Sequence, residues 1–126
     1  MSIVHRLAPL ALVSLIAACQ RSSAHPPAAH GATAVTAPAD GRVPITVDDQ
    51  GYHPATVRAA AGRALTLVFR RTDALNCGEQ VRFPTLNLVR DLPVGQSVEV
   101  AVTVPPSGEL AFTCGMNMYR GSVVVQ

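Results

Sequence analysis

The stretch GELAFTCGMNMYRGSVVV, from Gly108 to Val125, joins two β-strand patterns through a short connection rich in sulfur. Leu110 to Cys114 and Ser122 to Val125 are β-branched or alternate between apolar and polar residues, as half-buried strands do. Gly115 and Gly121 bound the connection, which is typical of a loop. The stretch therefore predicts a strand, a loop that carries two thioethers directly after a thiol, and a second strand.

The same strand pattern extends back along the chain to residue 43. Turn signals rich in glycine and proline separate the runs, and no window of useful length has a helical period. Strands this short at this spacing are typical of a β-sandwich or barrel. We therefore predict one all-β domain over residues 42–126, with four further strands at Val43 to Val47, Thr56 to Arg58, Ala64 to Arg71 and Ser97 to Val104.

Composition and charge restrict the classes of function. Hydrophobic residues make up 48% of the chain and aromatic residues only 4%, which predicts a core of aliphatic side chains. The formal net charge is +2 without a block of like charge, which argues against nucleic acid as a partner. The charged pair Arg70-Arg71 ends a strand and is interpreted as solvated. No constellation of acid, base and nucleophile is found, so we do not expect an enzyme.

The first 41 residues have the features of an export signal and a tether. Residues 1–18 combine a weakly basic start with a short apolar run, which predicts a secretory signal peptide. The end of this run, LIAAC, resembles the bacterial lipobox, which implies that Cys19 is the lipid-modified first residue of a lipoprotein; an ordinary signal peptide cut nearby is the alternative. Residues 19–41 are rich in Ala and Pro and predict a flexible tether. We expect a lipid-anchored protein on the periplasmic side of the bacterial envelope, with Gln20 favouring the outer membrane.

Two cysteines remain for the folded domain, Cys77 and Cys114. They can form a disulfide, remain free thiols or bind a metal. The loop residues Met116 and Met118 favour a metal site, because thiolate and thioether ligands together select Cu(I) rather than zinc or calcium. Glu79 is a further candidate ligand whose oxygen would favour ferric iron or Cu(II), although iron is less expected; its alternative is a surface carboxylate.

Five segments in order resemble the cupredoxin-like domain of bacterial periplasmic and copper-transport proteins, often labelled EfeO-type. They are GYHPATV (51–57), AAGRALTLVFRR (60–71), CGEQVRFPTL (77–86), LPVGQSVEV (92–100) and GELAFTCGMNMYRGSVVV (108–125). The resemblance implies a Greek-key β-sandwich over residues 43 to 125. It also implies that one copper ligand is Cys77 and that the others are Cys114 and the methionines of the following loop.

The sequence departs from the blue-copper pattern, because no histidine follows Cys114. Many relatives also have a histidine at the position of Arg120, and a guanidinium cannot bind a metal. His53, the one histidine after residue 42, is interpreted as a solvated turn residue. The leading hypothesis is a protein that sequesters Cu(I) or passes it to a copper transporter or acceptor protein. The alternatives are an electron-transfer cupredoxin and a metal-free interaction domain with a Cys77–Cys114 disulfide.

Overall fold

The computed structural model describes residues 33–126, and these form a sandwich of two β-sheets. A single turn of 3-10 helix, Pro84–Leu86, lies between two of the strands. The predicted all-β sandwich is confirmed. The strands are β1 (Ala34–Thr36), β2 (Arg42–Asp48), β3 (Gly51–His53), β4 (Thr56–Ala59), β5 (Ala64–Arg71), β6 (Gln80–Phe83), β7 (Leu88–Asp91), β8 (Ser97–Thr103), β9 (Glu109–Cys114) and β10 (Arg120–Val125).

The two sheets differ in size and both mix parallel with antiparallel pairs. The larger has six strands in the order β1-β4-β10-β9-β6-β7, and the smaller has four in the order β3-β2-β5-β8. Strand β4 runs parallel to both β1 and β10, and β2 runs parallel to β5. The strands β9 and β10, which flank the sulfur-rich connection, are antiparallel neighbours, and β6 pairs with the other side of β9.

All six predicted strands are present, as β2, β4, β5, β8, β9 and β10, and none of their ends is shifted by more than two residues. The sequence analysis did not identify β1, β3, β6 and β7, each of which is only three or four residues long. β4, which also has four residues, was identified from its β-branched Thr56 and Val57. Strand β1 lies within residues 19–41, which the sequence assigned to the tether. The sheet therefore starts before residue 42: the buried Ala37 just after β1 donates its N–H to the Arg58 carbonyl at 2.8 Å.

The core is aliphatic for most of its length and aromatic in one cluster. All five aromatic residues of the chain belong to this cluster, although composition predicted an aliphatic core. Tyr52 and Phe112 have ring centroids 5.0 Å apart, and Phe69 and Phe112 have theirs 5.5 Å apart, both edge to face. Such pairs contribute about 0.5 to 1.5 kcal/mol beyond the area that they bury. The few rings thus stabilise one part of the sandwich, together with Phe83 and Tyr119.

Two predictions about the membrane lie outside the described residues. The signal peptide at 1–18 and the lipid-modified Cys19 precede residue 33. Within residues 33–126, no helix is long and apolar enough to cross a membrane.

Gly121 provides a test of the packing of β10. A Cβ added there would overlap the Phe112 ring and lie 2.9 Å from the Ala55 carbonyl oxygen. We expect Gly121→Ala to lower the free energy of unfolding by about 1 to 3 kcal/mol, because neither the ring nor the backbone can move freely in a packed core. Urea denaturation measures this change.

Gly115→Ala is the matched control, since a Cβ there meets only the Gln80 side chain, at 3.4 Å from its Oε1 atom. Equal stability of the two variants would show that the Phe112 ring is not packed against β10 as described.

Candidate metal centre

Strand β9 carries Cys114 into the interior of the sandwich. Leu110, Phe112 and Cys114 are buried, while the residues between them are partly exposed. This alternation is the pattern of a strand with one face on the core. Cys114 is the last residue of β9, so its thiol lies at the edge of the core, where the sulfur-rich loop begins.

Cys77 approaches Cys114 from the irregular segment between β5 and β6. Its side chain is half-buried, and its Sγ atom lies 3.1 Å from the Sγ atom of Cys114. Both cysteines are free thiols in this structure. The structure therefore brings together two candidate ligands that are 37 positions apart in the chain.

The loop after β9 folds back on the Cys114 sulfur. The backbone N–H of Tyr119 donates to that sulfur at 3.2 Å, and the N–H of Cys114 donates to the Tyr119 carbonyl at 3.1 Å. Asn117, with φ at 62°, donates its N–H to the Cys114 carbonyl at 3.0 Å. Tyr119 was not identified from the sequence as part of the site. The available signal was its position in the connection between the two predicted strands.

The surroundings of the two thiols shift their pKa values in opposite directions. Burial raises the pKa of Cys114, but hydrogen bonds from the backbone N–H of Tyr119, from Cys77 and from the Met116 and Met118 backbone outweigh it, so the pKa falls below its ordinary value. Burial raises the pKa of Cys77, and its hydrogen bond with Cys114 raises it further. Cys114 is therefore the thiol of the pair that loses its proton first and is available as an anionic ligand at the lower pH.

The two methionines present their side chains to solvent. Met116 and Met118 are each 69% exposed. Met116 lines a shallow groove together with Cys114, Gly115 and Asn117. The thioethers thus lie on the surface, in the loop that begins at the buried thiol.

Glu79 is not brought to the thiols. Its side chain is exposed and lines a different groove, with Arg71, Gln80 and Asp91. Among residues 33–126, no group of three or more His, Cys, Asp or Glu side chains is close enough together to hold a metal ion. The oxygen ligand that would favour iron or Cu(II) is therefore absent from the described site.

The remaining predicted neighbours of the site also have other positions. His53 ends β3, where its Nε2 atom is 3.0 Å from Oδ1 of Asp48. Arg120 is exposed at the start of β10. The prediction that Arg70 and Arg71 form a solvated strand end is wrong for Arg71, which is only 8% exposed, because it continues the inward-facing series of β5.

The donors that remain suit a soft metal ion. They are the paired thiols of Cys77 and Cys114 and the thioethers of Met116 and Met118, with no imidazole or carboxylate added from residues 33–126. Such a set fits Cu(I), which sulfur ligands select, and does not fit calcium, magnesium or a blue-copper His2Cys centre.

The chain is similar to proteins of known family and structure. Residues 9–125 match the family model described as the cupredoxin-like domain. No curated protein matches. The metal-binding domain of the Cu(I)-exporting P-type ATPase CopA from Streptococcus pneumoniae D39, crystallised with Cu(I), is 26% identical, with a TM-score of 0.68 over 75% of this chain and 97% of that one.

Two further solved structures are similar. A copper-binding protein studied in solution in its apo form is 33% identical, with a TM-score of 0.63 over 76% of this chain and 100% of that one. Auracyanin from Roseiflexus castenholzii shares the fold, at 14% identity and a TM-score of 0.52 over 68% of this chain and 97% of that one. From the family model and the 33% identical structure together, we conclude that this chain belongs to the cupredoxin-like domain family.

Proposed function

We propose that this protein binds Cu(I) and sequesters it or passes it to a partner, acting as a binding protein rather than an enzyme. The observation that carries the proposal is the pair of free sulfur atoms 3.1 Å apart, Cys77 Sγ and Cys114 Sγ, next to a loop with two exposed thioethers. Thiolates and thioethers are the ligands that Cu(I) prefers in proteins.

Each sulfur has a distinct part in this proposal. Cys114, whose pKa is lowered by hydrogen bonds to its sulfur despite the opposing effect of burial, supplies the anionic ligand within the sandwich. Cys77 supplies the second thiol from the facing segment. Met116 and Met118 supply neutral thioethers from the solvent side. Copper would act here as cargo held by the protein.

Two comparisons support copper as the metal. The CopA domain, 97% of which is covered by the match, was crystallised with Cu(I), and the 33% identical relative is a copper-binding protein. The matches cover 75% and 76% of this chain, respectively. Neither similarity identifies the partner, which we propose to be a copper transporter or a copper acceptor protein.

The exposure of the methionines supports transfer as part of the function. A ligand from another protein can approach a metal ion most easily from the side where the existing ligands are weak and exposed. Met116 and Met118 are on that side, since both are 69% exposed while Cys114 is buried. With the predicted lipid at Cys19, the site would be tethered to the periplasmic side of the cell envelope.

Electron transfer is the less supported alternative. A blue-copper centre uses two histidines and one cysteine. Among residues 33–126, His53 is the one histidine, and its ring is engaged by Asp48 at 3.0 Å. We therefore expect the copper-loaded protein to be colourless in the visible range.

Copper binding itself can be tested directly. We expect the whole protein, isolated without oxygen from cells supplemented with copper, to show a copper-loaded mass with both domain thiols retained. Native mass spectrometry measures both properties at once. A metal-free mass that is lower by two hydrogens would contradict the proposal and support a Cys77–Cys114 disulfide.

Substitution of both methionines tests whether the thioethers bind the metal. Met116→Leu and Met118→Leu together should weaken Cu(I) binding about tenfold or more, equivalent to about 1.4 kcal/mol, because leucine keeps the bulk but not the sulfur. Competition with a chromogenic Cu(I) chelator measures the affinity. Stability without metal should change by less than about 0.5 kcal/mol, since both side chains are on the surface.

Leu86→Met is the matched control for this pair of substitutions. Leu86 is 48% exposed and belongs to the 3-10 turn rather than to the sulfur-rich loop. It should leave Cu(I) affinity unchanged, and an effect as large as that of the Met116 and Met118 substitutions would contradict a ligand role for the thioethers.

A stability measurement distinguishes free thiols at Cys77 and Cys114 from a disulfide. Because Cys77 is a half-buried free thiol, Cys77→Ser should change the free energy of unfolding of the metal-free protein by less than about 1 kcal/mol. Loss of a native disulfide from a small domain typically costs about 2 to 5 kcal/mol. Urea denaturation with and without a reductant distinguishes the two values.

A further inference from the structure

Arg71 is the one charged side chain that is buried within residues 33–126. It ends β5, where Leu65, Leu67 and Phe69 precede it on the inward face. A buried guanidinium is costly unless its N–H groups find partners. The position of Arg71 in this series therefore requires acceptors in the surrounding structure.

Three of the four acceptors lie in the irregular segment between β5 and β6, the fourth is the carbonyl of Leu92 just after β7, and none is a carboxylate. The Nε atom donates to Oδ1 of Asn76 at 3.0 Å, and one terminal nitrogen donates to the carbonyls of Ala74 at 2.8 Å and Asn76 at 3.3 Å. The other terminal nitrogen is 3.5 Å from the Leu92 carbonyl. Arg71 thus binds the irregular segment through neutral oxygens.

Through Asn76, the hydrogen bonds of Arg71 connect to the residues on both sides of Cys77. Oδ1 of Asn76 accepts the N–H of Gly78 at 2.9 Å as well as the Arg71 bond. Gly78 is pressed against β2, since a Cβ there would overlap the Val47 side chain. The residues before and after Cys77 are therefore fixed by one amide group, which Arg71 orients.

Cys77 depends on this arrangement more than Cys114 does. Cys114 is part of β9 and is held by the strand pairing of that sheet. Cys77 lies in no strand; its segment runs from the end of β5 to the start of β6.

We propose that Arg71 is a positioning residue that, through Asn76, holds the Cys77 sulfur next to that of Cys114 and so sets the two-thiol part of the copper site. This inference rests on the proposed Cu(I) function for its effect on affinity. It concerns geometry rather than charge, because the partners of Arg71 are neutral oxygens.

A double-mutant cycle tests the coupling between Arg71 and Cys77. Arg71→Met matches the aliphatic part of the side chain and removes its donors; it should weaken Cu(I) binding about tenfold or more, the effect expected when support for a metal ligand is lost. In a Cys77→Ser background, the same substitution should change the affinity by less than about twofold, because the positioned sulfur is already absent. Equal losses in both backgrounds, or no loss in either, would overturn the proposal.

A neighbouring arginine gives the matched control. Arg70→Met removes an equal charge from the exposed face of the same strand and should leave the affinity unchanged. If Arg71→Met fails to fold, as judged by circular dichroism, Asn76→Ala replaces it in the cycle, since it removes the amide next to Cys77 and keeps Arg71. An unchanged affinity in Asn76→Ala would then overturn the proposal.

A second readout needs no metal. One cysteine attacks oxidised glutathione to form a mixed disulfide and release one glutathione; the other cysteine then closes the Cys77–Cys114 disulfide and releases the second. We expect this closure of the mixed disulfide to be about tenfold slower in Arg71→Met than in the unmodified protein, because misplaced thiols have a lower effective concentration for each other. Mass spectrometry after alkylation follows this reaction. Slower closure without any Cu(I) binding by the unmodified protein would refute the proposed function but support the positioning role. Normal Cu(I) binding with unchanged closure would refute only the positioning role.

Discussion

The meeting of the two thiols depends on the alternation of side chains along β9. Leu110 and Phe112 must face the core, and because the side-chain period of a strand is two, Cys114 must face it as well. A register slip of one residue would move the thiol to the outer face and away from Cys77. The strand pair Val81 with Cys114 then aligns β6, which follows Cys77 in the chain. The site is therefore specified by the same packing as the core.

Alternation explains which parts of this fold could be predicted from the sequence. β2, β5, β8 and β9 have six to eight residues and repeat the pattern often enough to be recognised. β3 and β1 have three residues each, and they form because neighbouring strands offer partners. The sequence likewise identified Cys77 and Cys114 as a pair of interest. It left disulfide, free thiols and ligands open, because the distance between the sulfurs is set by tertiary packing.

Arg71 shows how two sequence rules conflict. The alternation of Leu65, Leu67 and Phe69 places residue 71 on the buried face, whereas the charge of an arginine favours solvent. Burial prevails because the next segment folds so that its carbonyls and the Asn76 amide accept the guanidinium N–H groups. That arrangement involves contacts across an irregular segment, for which the sequence offers no periodic signal. The prediction that Arg71 lies at a solvated strand end is therefore wrong, and Arg71 is the residue that binds the segment carrying Cys77.

The lengths of the outer strands have a consequence for self-association. An unpaired strand edge is a template for adding another chain, and short edges limit this risk. The larger sheet ends in β1 and β7, of three and four residues, and one side of the smaller sheet ends in the three-residue β3. Within residues 33–126, β8 is the long open edge, with seven residues. Its exposed Glu99, paired with Arg42 of β2, places charge there, so aggregation of the folded protein by strand addition would have to proceed beside an ion pair.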